Sequence, residues 1–461
     1  MMKKWIFKAA GLALAATALG TAASRPEAGN PLPRLQDQAD IFALNEALKP
    51  SESRAVWPGF APATIPFAVF DGTNTYAFGL PSAPEGFSLL PGRSGVYIYP
   101  GQHPQVRSNR RVRLGGIWTA AITTTRPFET FAGNVIHEKF HVLQAHRHPD
   151  WRPNDAFLFT YPLDTPDTVL ARRLEAEAFL RAVTSTDREN ARGWAAEGLR
   201  YRRLRLANLA QGVANYEDEV QRLEGLAEYV EWKTLGKDVR VRIYDLDFAP
   251  GAIRSYGYTS GRWFGYLLDR FDATWKEDLE AGVFQYLRER LEKAVQGAPG
   301  RGFSSFEMAA ARRSVDRDYW SRQEFLKSRR RDFDARPGWR VEILADRDPL
   351  RLRFFLANRA LVPAAREMIH ERWLTLANDT CELETVDREC LTVSNGATLV
   401  LRVVIPGFEG KPAIGREDGK DVIRAPGVVV RFFGAEVSEA DQTLTVRLTG
   451  SRPRASRGKG R

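Results

Sequence analysis

Cysteine is scarce in this chain, which limits the covalent links that it can make. Only two cysteines occur, Cys381 and Cys390, and both lie toward the C-terminal end. Neither can serve as an N-terminal lipid anchor. The two are near enough in sequence to form one short disulfide, which export would permit, or they stay as two free thiols.

Long apolar stretches are also lacking beyond the first residues of the chain. Residues 1–23 contain Lys3, Lys4 and Lys8, an Ala/Leu-rich stretch and a final run of small residues. This pattern is typical of a secretory signal peptide, so we expect a secreted or periplasmic protein with no stable membrane insertion after cleavage. Retention of the stretch as a membrane anchor is the alternative.

Acidic residues are missing from both ends of the chain, and this explains most of its positive charge. Of the formal net charge of +10, three charges lie in residues 1–23 and five in residues 451–461, which leaves +2 for the body between them. A nearly neutral body gives little support to nucleic-acid binding. The basic tail, residues 451–461, is predicted to be disordered.

The sequence pattern changes twice along the chain. Residues 57–125 alternate short β-rich runs with turn residues, residues 128–335 have helical spacing, and residues 339–450 return to strands. We therefore expect an α+β fold. It consists of a mostly helical domain over 24–336 with a small N-terminal β-sheet, followed by a β-sandwich-like domain over 339–450. No internal repeat is found.

The pentamer His137-Glu138-Lys139-Phe140-His141 carries the clearest chemical signal. Two histidines four residues apart project from one face of a helix and can bind the same metal ion. Glu138 is turned by about 100° around the helix, where it can act as a general base toward a metal-activated water. A buried pair of hydrogen-bonded histidines is the alternative, and no GxSxG sequence supports a serine hydrolase.

A catalytic zinc ion needs a third protein ligand, and the residues just after the pentamer do not provide it. The metzincin pattern requires a glycine and a histidine at positions that Gln144 and Arg147 occupy here. We therefore expect the third ligand farther along the chain.

Two later segments resemble gluzincin peptidases. The stretch RLEGLAEYVEW, residues 222–232, is similar to the Glu-Gly-x-Ala-x-Tyr helix of that family, and Tyr258-x-x-Gly261-x-x-Phe264 is similar to its tyrosine element. The resemblance covers about residues 128–270 in the family's order. It implies a zincin-like metallopeptidase fold, a Zn²⁺ ion bound by His137, His141 and Glu224, an oxyanion stabilised by Tyr258, and peptide or protein substrates.

The spacing departs from that family. His141 and Glu224 are 83 positions apart, which implies a helical insertion between the two ligand helices. Glu175 and Glu177 are nearer in sequence and are competing candidates for the third ligand, with an exposed charged helix face as the alternative. Glu228 lies one turn after Glu224. It either contacts and orients a ligand histidine without binding the metal itself, or it is solvated.

Two function hypotheses follow. The first is an exported zinc-dependent hydrolase, a peptidase with Glu138 as general base. The second is a non-catalytic cell-envelope binding protein whose metal site is structural or degenerate.

Overall fold

The computed structural model describes residues 34–47, 56–123, 128–159, 161, 165–207, 209, 211–237, 239, 248, 250–362, 366–395 and 399–450. The predicted signal peptide, residues 1–23, and the predicted basic tail, residues 451–461, lie outside this part of the chain. Within it, helices and sheets form an α+β fold with a β-rich C-terminal region, as the sequence predicts.

A six-stranded sheet forms the N-terminal β-rich part. Its strands are β1 (Phe67–Phe70), β2 (Asn74–Phe78), β3 (Ser88–Leu89), β4 (Val96–Pro100), β5 (Arg110–Leu114) and β6 (Ile117–Ile122). The order is β3-β4-β2-β1-β6-β5, antiparallel except for the parallel pair β1 and β6, so β5 is an edge strand. Helix α1 (Arg34–Ala47), which the sequence pattern did not predict, packs Ile41 and Leu44 onto this sheet.

Helix α2 (Phe128–Arg147) joins the sheet to the other helices because it is apolar on two sides. Phe131 and Val135, one turn apart, pack against the sheet. Ile136 and Phe140, also one turn apart, pack into the core of the helical region on the other side. The remaining side carries the two histidines of the pentamer, so their backbone is fixed from both flanks.

The helical region follows α2. Its helices are α3 (Pro166–Thr184), α4 (Arg188–Leu206), α5 (Gln211–Val220), α6 (Leu226–Leu235), α7 (Pro250–Phe271), α8 (Trp275–Glu280), α9 (Leu287–Ala294) and α10 (Ser305–Asp334). A π turn, Gln221–Gly225, joins α5 to α6 in one continuous run and contains Glu224. Helices α3 and α4, which pack against each other, lie in the long stretch between the two predicted ligand segments.

Glycine brings the π turn and α7 into backbone contact. A Cβ atom at Gly225 would lie 2.5 Å from the Cα atom of Gly261 and 2.9 Å from the carbonyl oxygen of Gly257. No side chain fits at that distance, so Gly225 is required for the close approach. This contact fixes the position of the neighbouring Glu224 relative to α7.

The C-terminal β-rich region follows α10. Its strands are β7 (Trp339–Leu344), β8 (Leu350–Val362), β9 (Glu367–Ala377), β10 (Cys381–Val386), β11 (Cys390–Ser394), β12 (Leu399–Phe408), β13 (Ile414–Glu417), β14 (Lys420–Ala425), β15 (Val428–Phe432), β16 (Ala435–Ala440) and β17 (Thr443–Leu448).

These strands form one hydrogen-bonded sheet, where the sequence analysis expected the two sheets of a sandwich. The order is β13-β14-β15-β10-β9-β11-β12-β7-β17-β16, and β8 pairs with both β9 and β12. Ile423 of β14 and Val446 of β17, from opposite ends of that order, belong to the same hydrophobic core. The sheet therefore curls over its own core, as the strong twist of long antiparallel sheets allows.

The disulfide between Cys381 and Cys390 that the sequence permitted is absent, and both are buried free thiols. Strand β9 lies between β10 and β11, which begin with the two cysteines. The Cys390 sulfur lies 3.7 Å from Thr385 Oγ1, and Thr385 is four residues, or roughly 13 Å, along β10 from Cys381. That separation is too large for a disulfide.

Among the described residues, no helix combines the length and the apolar character that a membrane span requires.

Candidate metal centre

Three side chains converge on one point between α2 and the π turn. Glu224 Oε2 lies 3.0 Å from His141 Nε2 and 3.4 Å from His137 Nε2. One possible ligand atom from each residue lies within 4.8 Å of those of the other two. All three residues are buried, with 6–8% of their surface exposed.

This arrangement has the dimensions of a zinc site. Ligand atoms at about 2.0–2.2 Å from a tetrahedral zinc ion are separated from one another by about 3.3 Å, close to both observed contacts with Glu224. The donor set, two imidazole nitrogens and one carboxylate oxygen, is one that zinc accepts in catalytic sites. Residues His137, His141 and Glu224 are therefore able to hold such an ion.

The other ring nitrogens of the two histidines are also engaged. His141 Nδ1 lies 2.7 Å from Gln144 Oε1, and His137 Nδ1 lies 3.4 Å from Glu231 Oε2. An acceptor at Nδ1 holds the ring proton there and leaves the Nε2 lone pair directed at the centre. The amide nitrogen of Gln144 donates to the carbonyl oxygen of Leu223, which ties α2 to the π turn.

Glu231 takes the position behind a histidine that the sequence analysis offered to Glu228. Glu228 Oε1 instead lies 3.1 Å from Arg262 Nη1, and the Arg262 guanidinium stacks over the ring of Trp232. The sequence carried a signal for Glu231. It follows Glu224 by seven residues, which is two helical turns and only about 20° around the axis.

Gly133 provides the space that Glu231 needs. A Cβ atom at this position on α2 would lie 2.5 Å from Glu231 Oε1. Lys237 forms an ion pair with the same oxygen, so the carboxylate is held between Lys237 and His137.

The electrostatics of the centre favour a cation. Burial lowers the pKa of His137, but Glu224 and Glu231 outweigh this effect and raise it to about 10. Burial raises the pKa of Glu224, yet His141 and Arg254 hold it well below its usual range, so Glu224 stays ionised. In the absence of a metal the positive charge is a proton on His137, and metal binding must displace that proton.

Glu138 lies beside His137 and Glu224, and one of its carboxylate oxygens has no hydrogen bond to any residue that the structure describes. It is buried, and in the described part of the chain its Oε2 atom has no hydrogen-bond partner. Burial raises the pKa of Glu138, against the lowering effect of His141 and His137. A buried carboxylate oxygen without a partner is costly, and such an oxygen is able to accept a proton or to bind a water.

Helix α7 adds Tyr258 and Arg254 to the centre. The Tyr258 ring stacks on the His137 ring at 5.8 Å between centroids with 9° between planes. Burial and the neighbouring Glu224 raise the pKa of Tyr258 well above its ordinary value, so its hydroxyl keeps its proton. Arg254 Nη2 lies 2.6 Å from Glu224 Oε1, leaving Oε2 for the histidines. No sequence pattern singled out Arg254, although it lies one turn before Tyr258.

Glu175, one of the competing candidates for the third ligand, lies in a different place. Its Oε1 is 3.1 Å from Arg202 Nη1, and its Oε2 is 2.8 Å from Arg205 Nη2. Tyr256 also donates to Oε1, and the whole cluster is buried. Both oxygens of Glu175 are thus held by positive or donating groups, so it is not part of the His137, His141 and Glu224 group.

Comparisons of the chain with protein-family models, with curated proteins and with solved structures found no match.

Proposed function

We propose that this chain is an exported zinc-dependent hydrolase that cleaves amide bonds in peptides, in the manner of a gluzincin peptidase. The observation that carries the proposal is the approach of Glu224 to His137 and His141, which precede it in the sequence by 87 and 83 residues. The resemblance named Glu224 from its sequence context alone, and the fold brings its carboxylate to that point. The free buried oxygen of Glu138 supplies the second support.

The chain's own groups have distinct roles in this proposal. Bound zinc would supply Lewis acidity and make an attacking water acidic near neutral pH. Glu138 accepts a proton from that water and delivers it to the leaving nitrogen. Tyr258, protonated at neutral pH, donates a hydrogen bond to the developing oxyanion. Gln144 and Glu231 keep the two histidines in the orientation that zinc binding requires.

The proposal extends to the organisation of the whole chain. It takes residues 24–336 as a zincin-like metallohydrolase domain and residues 339–450 as a separate β domain. The signal peptide at residues 1–23 would direct the protein to the periplasm or the medium, where it meets peptide or protein substrates rather than nucleic acid.

Purified mature protein with measured zinc content tests the proposal, using cleavage of casein as the readout. Replacing Glu138 with Gln removes the proton acceptor and is expected to lower the cleavage rate by roughly 10²–10⁴-fold while zinc stays bound. Glu189→Gln is the matched control, because the Glu189 side chain is 67% exposed on α4 and should leave the rate unchanged.

Equal casein cleavage by wild type and Glu138→Gln would contradict the mechanism. A folded wild-type protein that binds no zinc and cleaves nothing would favour a non-catalytic binding protein of the cell envelope.

A further inference from the structure

Arg111 lies on the edge strand β5 and projects toward the candidate metal centre. In the antiparallel pair of β5 and β6, Arg111 is directly opposite Ala120. Residues that face each other across such a pair point to the same side of the sheet, and Ala120 belongs to the core between the sheet and α2. Arg111 is therefore on the side of the sheet that carries the helix of His137 and Glu138.

The charge of Arg111 is close to the catalytic carboxylates but not neutralised by an ion pair. It interacts electrostatically with Glu138 and Glu224, and with the cation Arg152. Its side chain is partly buried, yet among the residues that the structure describes its guanidinium has no carboxylate within ion-pair distance and donates no hydrogen bond. Burial and Arg152 lower the pKa of Arg111 despite the two carboxylates, so its positive charge is incompletely compensated.

Two arginines of α7 near the centre differ from Arg111. Arg254 contacts both Glu224 and Asp155, and Arg262 contacts Glu228. A partly buried guanidinium normally has such a partner, because desolvation without one is costly. A metal cation bound nearby would increase the local positive charge further. The group that would complete this environment is an anion, and the planar guanidinium matches a carboxylate with two parallel hydrogen bonds.

We propose that Arg111, with Arg152 beside it, binds a carboxylate group of the substrate and gives the enzyme a preference for peptides that present a carboxylate at a fixed position. The inference rests on the proposed peptidase function and names its substrate class. The carboxylate belongs either to an Asp or Glu side chain near the scissile bond or to the C-terminus of the peptide.

A cleavage-site profile on a peptide library tests this inference. A chymotryptic digest of a whole proteome keeps internal acidic and basic residues, and mass spectrometry identifies the new ends. Wild type is expected to show Asp and Glu enriched at one fixed position near the cleaved bond, or cuts at a fixed distance from the C-terminus. The first pattern indicates a side-chain carboxylate, and the second a terminal carboxylate.

The variant Arg111→Ala separates recognition from general support of the centre. Loss of a charge-assisted pair of hydrogen bonds is expected to lower kcat/KM for a preferred acidic peptide by roughly 10–100-fold, with little change for its amide counterpart. Arg110→Ala is the matched control, since Arg110 is exposed and points to the other side of the same strand. Equal losses on both peptides, or a wild-type profile with neither an enriched acidic position nor a fixed distance from the C-terminus, would overturn the inference.

A binding measurement keeps the inference testable if no hydrolysis is found, a result that would count against the proposed function alone. Fluorescein-labelled octapeptides of alternating Ala and Glu, or of alternating Ala and Gln, are titrated with the Glu138→Gln protein and followed by anisotropy. The Glu peptide is expected to bind more tightly than the Gln peptide. Loss of this difference when Arg111→Ala is introduced into the Glu138→Gln protein supports the carboxylate site. Equal binding of the two peptides that Arg111→Ala weakens for both indicates a terminal carboxylate. Binding that Arg111→Ala leaves unchanged contradicts the site.

Discussion

The helical region and the C-terminal β-rich region each bury a histidine, and the pKa values of these two histidines are shifted in opposite directions. In the helical region, Glu224 and Glu231 overcome the effect of burial and raise the pKa of His137 to about 10. In the β-rich region, His370 on β9 lies 2.8 Å from the neutral hydroxyl of Thr392, and burial lowers its pKa to about 3. Burial alone therefore gives a neutral, inert imidazole.

The difference lies in the surrounding carboxylates. His370 is a structural core residue because its environment excludes positive charge. The His137 environment requires a positive charge and offers three converging ligand atoms to hold it. A short distance between ring nitrogens and carboxylates, and not the burial of a histidine, distinguishes a candidate metal site from a core position.

Among the variants that test this comparison, removal of a proposed ligand carboxylate should have the largest effect on zinc binding. Glu224→Ala is expected to weaken zinc binding by more than about 100-fold, beyond the 10–100-fold effect of changes behind the ligands. Glu175→Ala is the matched variant, because it also removes a buried glutamate. It should keep zinc while destabilising the fold by at most about 3–5 kcal/mol, since Arg202 and Arg205 lose one buried carboxylate. Both arginines keep Glu217 as a partner, and Arg202 also keeps Asp218.

Zinc titration against a fluorescent chelator, together with urea unfolding, measures both effects. Loss of zinc from Glu175→Ala with retention by Glu224→Ala would reverse the ligand assignment.

A smaller loss of zinc binding is expected from a substitution at Glu231, which contacts His137 on the side away from Glu224. Glu231→Gln removes the negative charge next to His137 Nδ1 and is expected to weaken zinc binding by roughly 10–100-fold. Glu228→Gln should have less effect, because Glu228 contacts Arg262. The same chelator competition compares the two variants, and a larger loss in Glu228→Gln would show that the wrong glutamate supports the histidine.

The opposite pKa shift of His370 predicts a pH dependence of stability in the β-rich region. Its pKa is about 3 in the folded protein and near 6.5 when unfolded, so the unfolded state binds more protons as the pH falls. The stability associated with neutral His370 is complete above about pH 6.5 and decreases toward pH 3, by about 1.4 kcal/mol per pH unit.

Between pH 7 and pH 5, the free energy of unfolding of wild type should therefore fall by about 2 kcal/mol more than that of His370→Gln. Urea denaturation at the two pH values measures this difference. An equal fall in both proteins would mean that His370 is accessible to protons in the folded state.

The sequence predicted the parts of the centre that depend on local geometry. The grouping of His137, Glu138 and His141 could be predicted because helical spacing fixes their relative directions. Glu224 could be predicted because the sequence around it resembles the third-ligand helix of the gluzincin family. Helical spacing placed Glu231 on the same side of its helix as Glu224, but its contact with His137 could be recognised only once the packing of α2 against α6 was known.

Other features depended on long-range packing in the same way. The position of Arg111 near the centre could be recognised only once β5 was known to be an edge strand that pairs with β6. Cys381 and Cys390 looked pairable because they are close in sequence, but β9 inserts between their strands. The α+β composition and the strand-rich C-terminal region followed from periodicity, whereas the single curled sheet depends on strand order, which periodicity does not encode.

The central claim is that His137, His141 and Glu224 together bind a zinc ion. A crystal grown with zinc and measured on both sides of the zinc absorption edge tests it directly. The account predicts an anomalous peak about 2.0–2.2 Å from His137 Nε2, His141 Nε2 and a Glu224 carboxylate oxygen. A well-ordered site without a peak, or a peak held by other residues, would contradict it.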